Sequence, residues 1–228
     1  MAPTGRTWRR AVAAALGISM AAVLTLGASS IAAPSATTES AAGSRRSATI
    51  TKRALHDGMR QLWIDHVTWT RLFIVSFFED LPDLQATTDR LLQNQVDMGD
   101  AVKPFYGKAA GNALTALLEE HILTAAELLA AAKAGDSAAL EEASDLWYAN
   151  AREIARFLHD ANPDNWPLRD LRAMMKTHLD LTLREASHQL SGDFAASVAD
   201  YDAVEAEIID MADMLSSGIV AQFPNTFA

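Results

Sequence analysis

The sequence predicts an all-α protein, a single bundle of six helices built from three helix–turn–helix hairpins. From about Thr51 onward, apolar residues recur at helical spacing and no stretch alternates apolar and polar residues over the length of a strand. Proline and glycine breakers divide this part of the chain into six segments of roughly five to seven helical turns each. Residue types also recur with a period of about 56 residues, which indicates internal repeats.

Residues 1–42 have the pattern of a secretory leader and linker. Three arginines precede an uncharged run over residues 11–33, and small-residue cleavage patterns follow at residues 30–32 and 40–42. A charged start, an apolar stretch and a small-residue exit are typical of signal peptides. The alternative is a membrane anchor, because the uncharged run is long enough to span a bilayer. Cleavage predicts a secreted protein that has no membrane contact afterwards.

Composition excludes several classes of function. The chain has 228 residues, half of them apolar, and contains no cysteine, which excludes disulfides, zinc ribbons, iron–sulfur clusters and thiol nucleophiles. Its 29 acidic and 19 basic residues give a net charge of −10, which argues against a nucleic-acid partner. Sequence motifs of hydrolases and nucleotide-binding proteins are absent. The sequence therefore identifies no catalytic residue, and it does not establish whether the protein is an enzyme.

The helices are predicted to pair through short turns at residues 81–82, 135–136 and 192–193. Asp80, Asp136 and Asp193 are predicted to open the second helix of each pair, and a glycine before the last two can end the preceding helix. Short turns make neighbouring helices antiparallel. The single domain covers residues 51–228, with repeat units at about 55–107, 111–162 and 167–218. The three units could close into one bundle or stack as a short solenoid, and the closed bundle is the predicted arrangement.

Polar residues recur in one register within these units. The first helices carry His66, His121 and His178, separated by 55 and 57 residues. The second helices carry an amide or acid, followed three residues later by an acid: Asn94 with Asp97, Asn150 with Glu153, and Glu207 with Asp210. A shared apolar period alone would not place these residue types in the same order three times.

Helical geometry predicts where these side chains point. Because a helix turns about 100° per residue, each histidine lies in the middle of an apolar stripe and should face the core. The residues at positions 94, 150 and 207 lie about 40° from the centre of the apolar face. The acids at positions 97, 153 and 210 lie about 100° away, at its flank.

The leading functional prediction is a transition-metal site. His66, His121 and His178 would be ligands, and Asp97, Glu153 and Asp210 would be further ligands or partners of the histidines. Imidazole and oxygen donors suit zinc, iron, manganese or copper. The alternatives are a structural or partner-binding module, in which a histidine–carboxylate network fixes the core, and a small-ligand cavity. The partner or ligand is unknown in either case.

Several segments resemble a family of uncharacterised bacterial all-helical proteins. They are residues 63–71 (WIDHVTWTR), 94–99 (NQVDMG), 121–123 (HIL), 147–150 (WYAN), 162–167 (NPDNWP) and 175–179 (MKTHL). The resemblance covers about residues 56–227 and implies an all-helical fold. No activity is established for the family, so no catalytic residue is implied. Some members are automatically labelled glycosyltransferases, but nucleotide-sugar enzymes need sheet edges and phosphate-binding turns, which this sequence does not predict.

Overall fold

The structure is a computed structural model, and it describes residues 50–227. These residues contain no strand, so the predicted all-helical class is confirmed for them. The helices are α1 (Lys52–Phe78), α2 (Leu84–Ala134), α3 (Ser137–Ala161), α4 (Leu168–Ser191) and α5 (Phe194–Gln222), followed by a 3-10 turn at Pro224–Thr226. Among these helices, none has an apolar stretch of the length needed to cross a membrane. The predicted leader lies outside the described residues.

The described residues form five helices where the sequence predicts six, because α2 spans two of the predicted segments. Inside α2, Gly107 has φ 83° and ψ 166°, a non-helical conformation that only glycine adopts readily. On either side of it, Gly99 and Gly111 pack closely, and a Cβ on Gly99 would lie 2.6 Å from the carbonyl oxygen of Gly111. A straight helix would separate these residues by about 18 Å. The two parts of α2 therefore fold back on each other at Gly107.

Two of the three predicted hairpin turns have the expected glycine–aspartate geometry. Gly135 and Gly192 end α2 and α4 in the left-handed conformation, with φ of 68° and 79°. Asp136 and Asp193 then accept the backbone N–H three residues further on, each at 3.1 Å. A left-handed glycine followed by an aspartate cap satisfies backbone groups on both sides of the turn.

The first turn differs from the prediction, because Asp80 does not open α2. Asp80 has φ 51°, the left-handed conformation that glycine adopts in the other two turns, and its carboxylate pairs with Lys133 at 2.6 Å. The helix begins at Leu84, after Asp83. Leu81 and Pro82 lie between Asp80 and this start, so Asp80 is too far back to cap the helix.

The first and last helices pack against each other, which closes the bundle. α1 contacts both α2 and α5, and α3 and α4 complete the ring. Along the α1–α5 seam, Arg60 pairs with Asp213, and Ser216 lies 2.6 Å from the imidazole of His56. A solenoid would keep its terminal helices apart, so the structure is a closed bundle.

The core leaves little unfilled space between the helices. Ile154, Leu179 and Ile208 have no accessible surface at all. The loop between α3 and α4 carries Trp166, which packs so tightly on Gly218 that a Cβ there would lie 2.0 Å from the indole nitrogen. Interiors at this density transmit small changes of side-chain volume to their neighbours.

Candidate functional site

The three histidines that the sequence singles out meet in the middle of the bundle. His66 of α1, His121 of α2 and His178 of α4 are all buried, and all three line one cavity of about 30 Å³. The ring centres of His66 and His178 are 5.8 Å apart. Apart from the hydroxyls of Thr70 and Thr182, the remaining wall of the cavity is apolar. A space of this size holds a water molecule or an ion but no organic ligand.

Asn150 determines which nitrogen of His121 carries the proton. The amide nitrogen of Asn150 donates to the carbonyl of Leu117 at 3.1 Å, which turns its oxygen towards His121 Nδ1 at 2.9 Å. Because an amide oxygen only accepts, Nδ1 is the protonated nitrogen and Nε2 carries the lone pair. Burial lowers the pKa of His121 to about 3, so the ring is neutral at physiological pH.

The surroundings of His66 share part of this arrangement. Asn94 donates to the carbonyl of Leu62 at 3.0 Å, and Leu62 precedes His66 by four residues, as Leu117 precedes His121. Burial lowers the pKa of His66 well below its usual value, and the neighbouring histidines lower it further. Side-chain hydrogen bonds between His66 and the amides of Asn94 and Gln95 act in the opposite direction and raise its pKa. His66 is therefore also a neutral imidazole.

Near His178, a carboxylate takes the place that an amide has near His66 and His121. Glu207 Oε2 lies 3.4 Å from His178 Nδ1. Neither Glu207 oxygen, nor His178 Nδ1, makes a hydrogen bond within the described part of the chain, although all three atoms are buried. A carboxylate has no N–H to donate to the carbonyl of Met174, the counterpart of Leu62 and Leu117. Buried polar atoms without partners are uncommon in native proteins and mark this corner of the site.

The predicted carboxylates do not reach the cavity. Asp97 is partly exposed and bonds Gln93 at 2.9 Å, while Glu153 and Asp210 are exposed. A position about 100° from the centre of an apolar face lies at the edge of the buried stripe, so these side chains turn to solvent. Among the described residues, no group of three His, Asp or Glu side chains is already arranged to hold a metal ion.

Beside the site, the structure shows a buried ion pair that the sequence analysis did not single out. Arg71 of α1 donates to Glu185 of α4 at 2.7 Å and also to Ser197 of α5. Burial raises the pKa of Glu185, and Arg71 opposes this shift. Glu185 follows His178 by seven residues, which is two helical turns, so it lies on the same apolar stripe. An acidic residue on a predicted apolar stripe was the sequence signal that could have identified Glu185 as a buried, paired side chain.

Aromatic side chains fix the imidazoles in place. Trp147 stacks on His121 with ring centres 5.4 Å apart, and Trp63 approaches His66 edge-on at 5.9 Å. Chemically, the site offers neutral imidazoles around a space the size of an ion, and the carboxylate of Glu207 lies behind His178, outside the lining of that space. Comparisons with protein-family models, curated proteins and solved structures find no match for this chain.

Proposed function

We propose that this chain is an exported helical-bundle protein that binds one transition metal ion through His66, His121 and His178. The observation that carries the proposal is that the three imidazoles, which come from three different helices, line a single cavity of about 30 Å³. Imidazole is a ligand for zinc, copper and iron, whereas manganese prefers oxygen donors. A site with three imidazoles and one nearby carboxylate therefore favours zinc, copper or iron over manganese.

The spacing of two of the three rings fits this proposal after a small adjustment. A metal–nitrogen bond of about 2 Å places the ring centres of two imidazoles on one tetrahedral ion about 5 Å apart. The ring centres of His66 and His178 are 5.8 Å apart. A relative shift of less than about 1 Å would bring these two rings to ligand spacing.

The protonation states also support the proposal. A metal binds the unprotonated nitrogen of imidazole, and the lowered pKa values of His66 and His121 keep that nitrogen free at neutral pH. Histidine ligands commonly donate their other N–H to a carbonyl or carboxylate, which orients the ring. Asn150 has this role for His121, and Glu207 is placed to have it for His178. The surface acids at positions 97, 153 and 210 are not part of the proposed site.

A metal titration tests the proposal. Purified protein would be freed of metal with a chelator, and Zn²⁺ and Cu²⁺ would then be titrated calorimetrically. We expect about one ion per chain and a raised melting temperature. His121→Ala should abolish binding, and circular dichroism checks that this variant is folded. His178→Asn provides a second variant that disrupts the site with a smaller change of volume.

The matched control is His188→Ala. His188 lies on the same helix as His178, but it is partly exposed. Its imidazole bonds to Asp200 and does not line the cavity. Its loss should leave metal binding unchanged. Substoichiometric binding, or equal binding by wild type and His121→Ala, would contradict the metal site.

A second candidate function is a purely structural polar core. It is favoured by one observation: the same amide-to-carbonyl bond joins Asn94 to Leu62 and Asn150 to Leu117. Such bonds fix helix register without any ligand. The metal titration separates the two candidates, because a structural core predicts that His121→Ala loses stability while metal affects neither protein.

We further infer that the bundle consists of three repeated hairpins and that the chain is exported. The recurring amide-to-carbonyl bond and the histidine spacing of 55 and 57 residues support the repeats. The leader pattern in residues 1–42 supports export. N-terminal sequencing of protein from the culture medium should find a start between about residues 33 and 43. Intact Met1 in a membrane fraction would instead identify an anchor.

A further inference from the structure

A groove between α3 and α4 lies on the outside of the bundle. Its volume is about 250 Å³. The side chains that line it come in equal number from the two helices: Tyr148, Ala151 and Arg152 from α3, and Arg172, Met175 and Lys176 from α4. Ala151 and Met175 are buried, so the groove combines an apolar surface with three basic groups.

The two arginines of this groove lack the ionic partners that other arginines of the protein have. Six of the nine arginines within residues 50–227 form ion pairs with acidic side chains. The other three are Arg152 and Arg156 on α3 and Arg172 on α4. Arg152 and Arg172 are exposed and make no hydrogen bond or ion pair with any described residue.

The local sequence explains why these charges are unpaired. Residues three and four positions away on a helix are neighbours, and acids at such positions usually pair with arginine. The only charged neighbour of Arg152 at these positions is Arg156, and those of Arg172 are Arg169 and Lys176. In a chain of net charge −10, this is a local concentration of positive charge.

A carboxylate that bonds two of the lining side chains neutralises one of the cations. Asp180 accepts a hydrogen bond from the hydroxyl of Tyr148 at 2.6 Å and pairs with Lys176. The guanidinium groups of Arg152 and Arg172 therefore remain available. Guanidinium groups bind carboxylates and phosphates through paired, charge-assisted hydrogen bonds.

We propose that this groove binds a small organic anion, either a carboxylate or a phosphate monoester with a short apolar group. Arg152 and Arg172 hold the anionic head, and the apolar group lies against Met175 and the ring of Tyr148. Typical sites for larger organic ligands have about 300–1,000 Å³, so the groove fits a small molecule. This binding is independent of the metal proposed in the core.

The test uses phenyl phosphate, benzoate and inorganic phosphate as probes for the metal-free full chain, with calorimetry at a fixed salt concentration. Phenyl phosphate or benzoate should bind saturably, and the stronger of the two identifies the head group. Phenyl phosphate should bind more tightly than inorganic phosphate, because only the former reaches the apolar surface. Arg152→Gln and Arg172→Gln should each weaken binding about tenfold or more.

The control is Arg53→Gln, which removes the same charge from an exposed position on α1. It should leave binding within about twofold of wild type, and unchanged melting temperatures should show that all three variants are folded. Absence of saturable binding by either organic anion would overturn the proposal. So would an equal loss of affinity in Arg53→Gln and Arg172→Gln, since that would reflect net charge rather than a site.

Discussion

Acidification should destabilise the metal-free protein through its buried histidines. Burial lowers the pKa of His121 from 6.5 to about 3, and it lowers that of His66 in the same direction. Between the folded and unfolded pKa values the unfolded chain binds more protons, so the free energy of unfolding falls as the pH falls. One pKa unit corresponds to about 1.4 kcal/mol. When the pH falls from about 6.5 to about 5, protonation of His121 in the unfolded chain should lower the free energy of unfolding by about 2 kcal/mol. His66 should lower it further.

Carboxylates contribute little to this pH window. The pKa values of Asp180 and Asp213 are lowered by their cationic partners, so the stability that these groups contribute is lost only at more acidic pH. Glu185 acts in the opposite direction, because burial raises its pKa and protonation then favours the folded state. The histidine contribution must therefore be isolated by comparison with a variant.

Urea unfolding followed by circular dichroism, with a chelator present, measures this effect. His121→Gln cannot take up a proton, yet its amide N–H can still donate towards Asn150. The wild type should lose about 2 kcal/mol more than this variant over the window. Equal losses in both proteins, or a wild type whose stability does not fall, would refute a neutral, buried His121.

Three further substitutions and one matched control test a buried hydrogen bond, the packing and a backbone conformation. Asn150→Ala leaves the buried Nδ1–H of His121 without a partner and should cost about 2 kcal/mol in urea unfolding, whereas a cost below about 1 kcal/mol would contradict this bond. Gly218→Ala should destabilise by about 2 kcal/mol or more because its Cβ would overlap Trp166. In the matched Gly58→Ala, the added Cβ points into open space, so the variant should be more stable by about 0.5–1 kcal/mol. Equal effects of Gly218→Ala and Gly58→Ala would contradict the close packing at Gly218. Gly107→Ala should destabilise by at least about 1 kcal/mol because of its backbone conformation, as measured by thermal unfolding, and a neutral result would contradict the fold-back at that residue.

The helical class and the inward direction of the histidines were predictable, because both follow from the period of one helix. Apolar residues four and seven positions before each histidine place it on the buried stripe, and the structure confirms that His66, His121 and His178 are buried. The period of one helix did not determine whether Asp97, Glu153 and Asp210 are exposed. At the flank of a stripe, exposure depends on how close the next helix packs, and a single helix does not determine that distance.

Details of the turns and the pairing of charges depended on tertiary contacts. Asp80 resembles the capping aspartates in spacing, but Pro82 delays the start of α2, so Asp80 pairs with Lys133 instead. The Arg71–Glu185 pair joins residues 114 positions apart in the chain. Periodicity locates Glu185 on a buried face but does not identify its partner, because that depends on which helices become neighbours.

Glu207 provides a test between the proposed metal centre and a purely structural network. Near His66 and His121 an asparagine donates to a backbone carbonyl, and a glutamate takes the corresponding place near His178. A carboxylate cannot donate this hydrogen bond, and both buried oxygens of Glu207 are unbonded. For a histidine that binds a metal, however, a carboxylate is a stronger hydrogen-bond acceptor than an amide.

Glu207→Asn should therefore change stability and metal binding in opposite directions. The asparagine can donate to the carbonyl of Met174, so the metal-free variant should be more stable by about 1 kcal/mol in urea unfolding. Its metal affinity should fall about 10- to 100-fold in the calorimetric titration, because His178 loses its carboxylate partner. A variant that is less stable than wild type and binds metal equally well would show that Glu207 supports the fold and not a metal site.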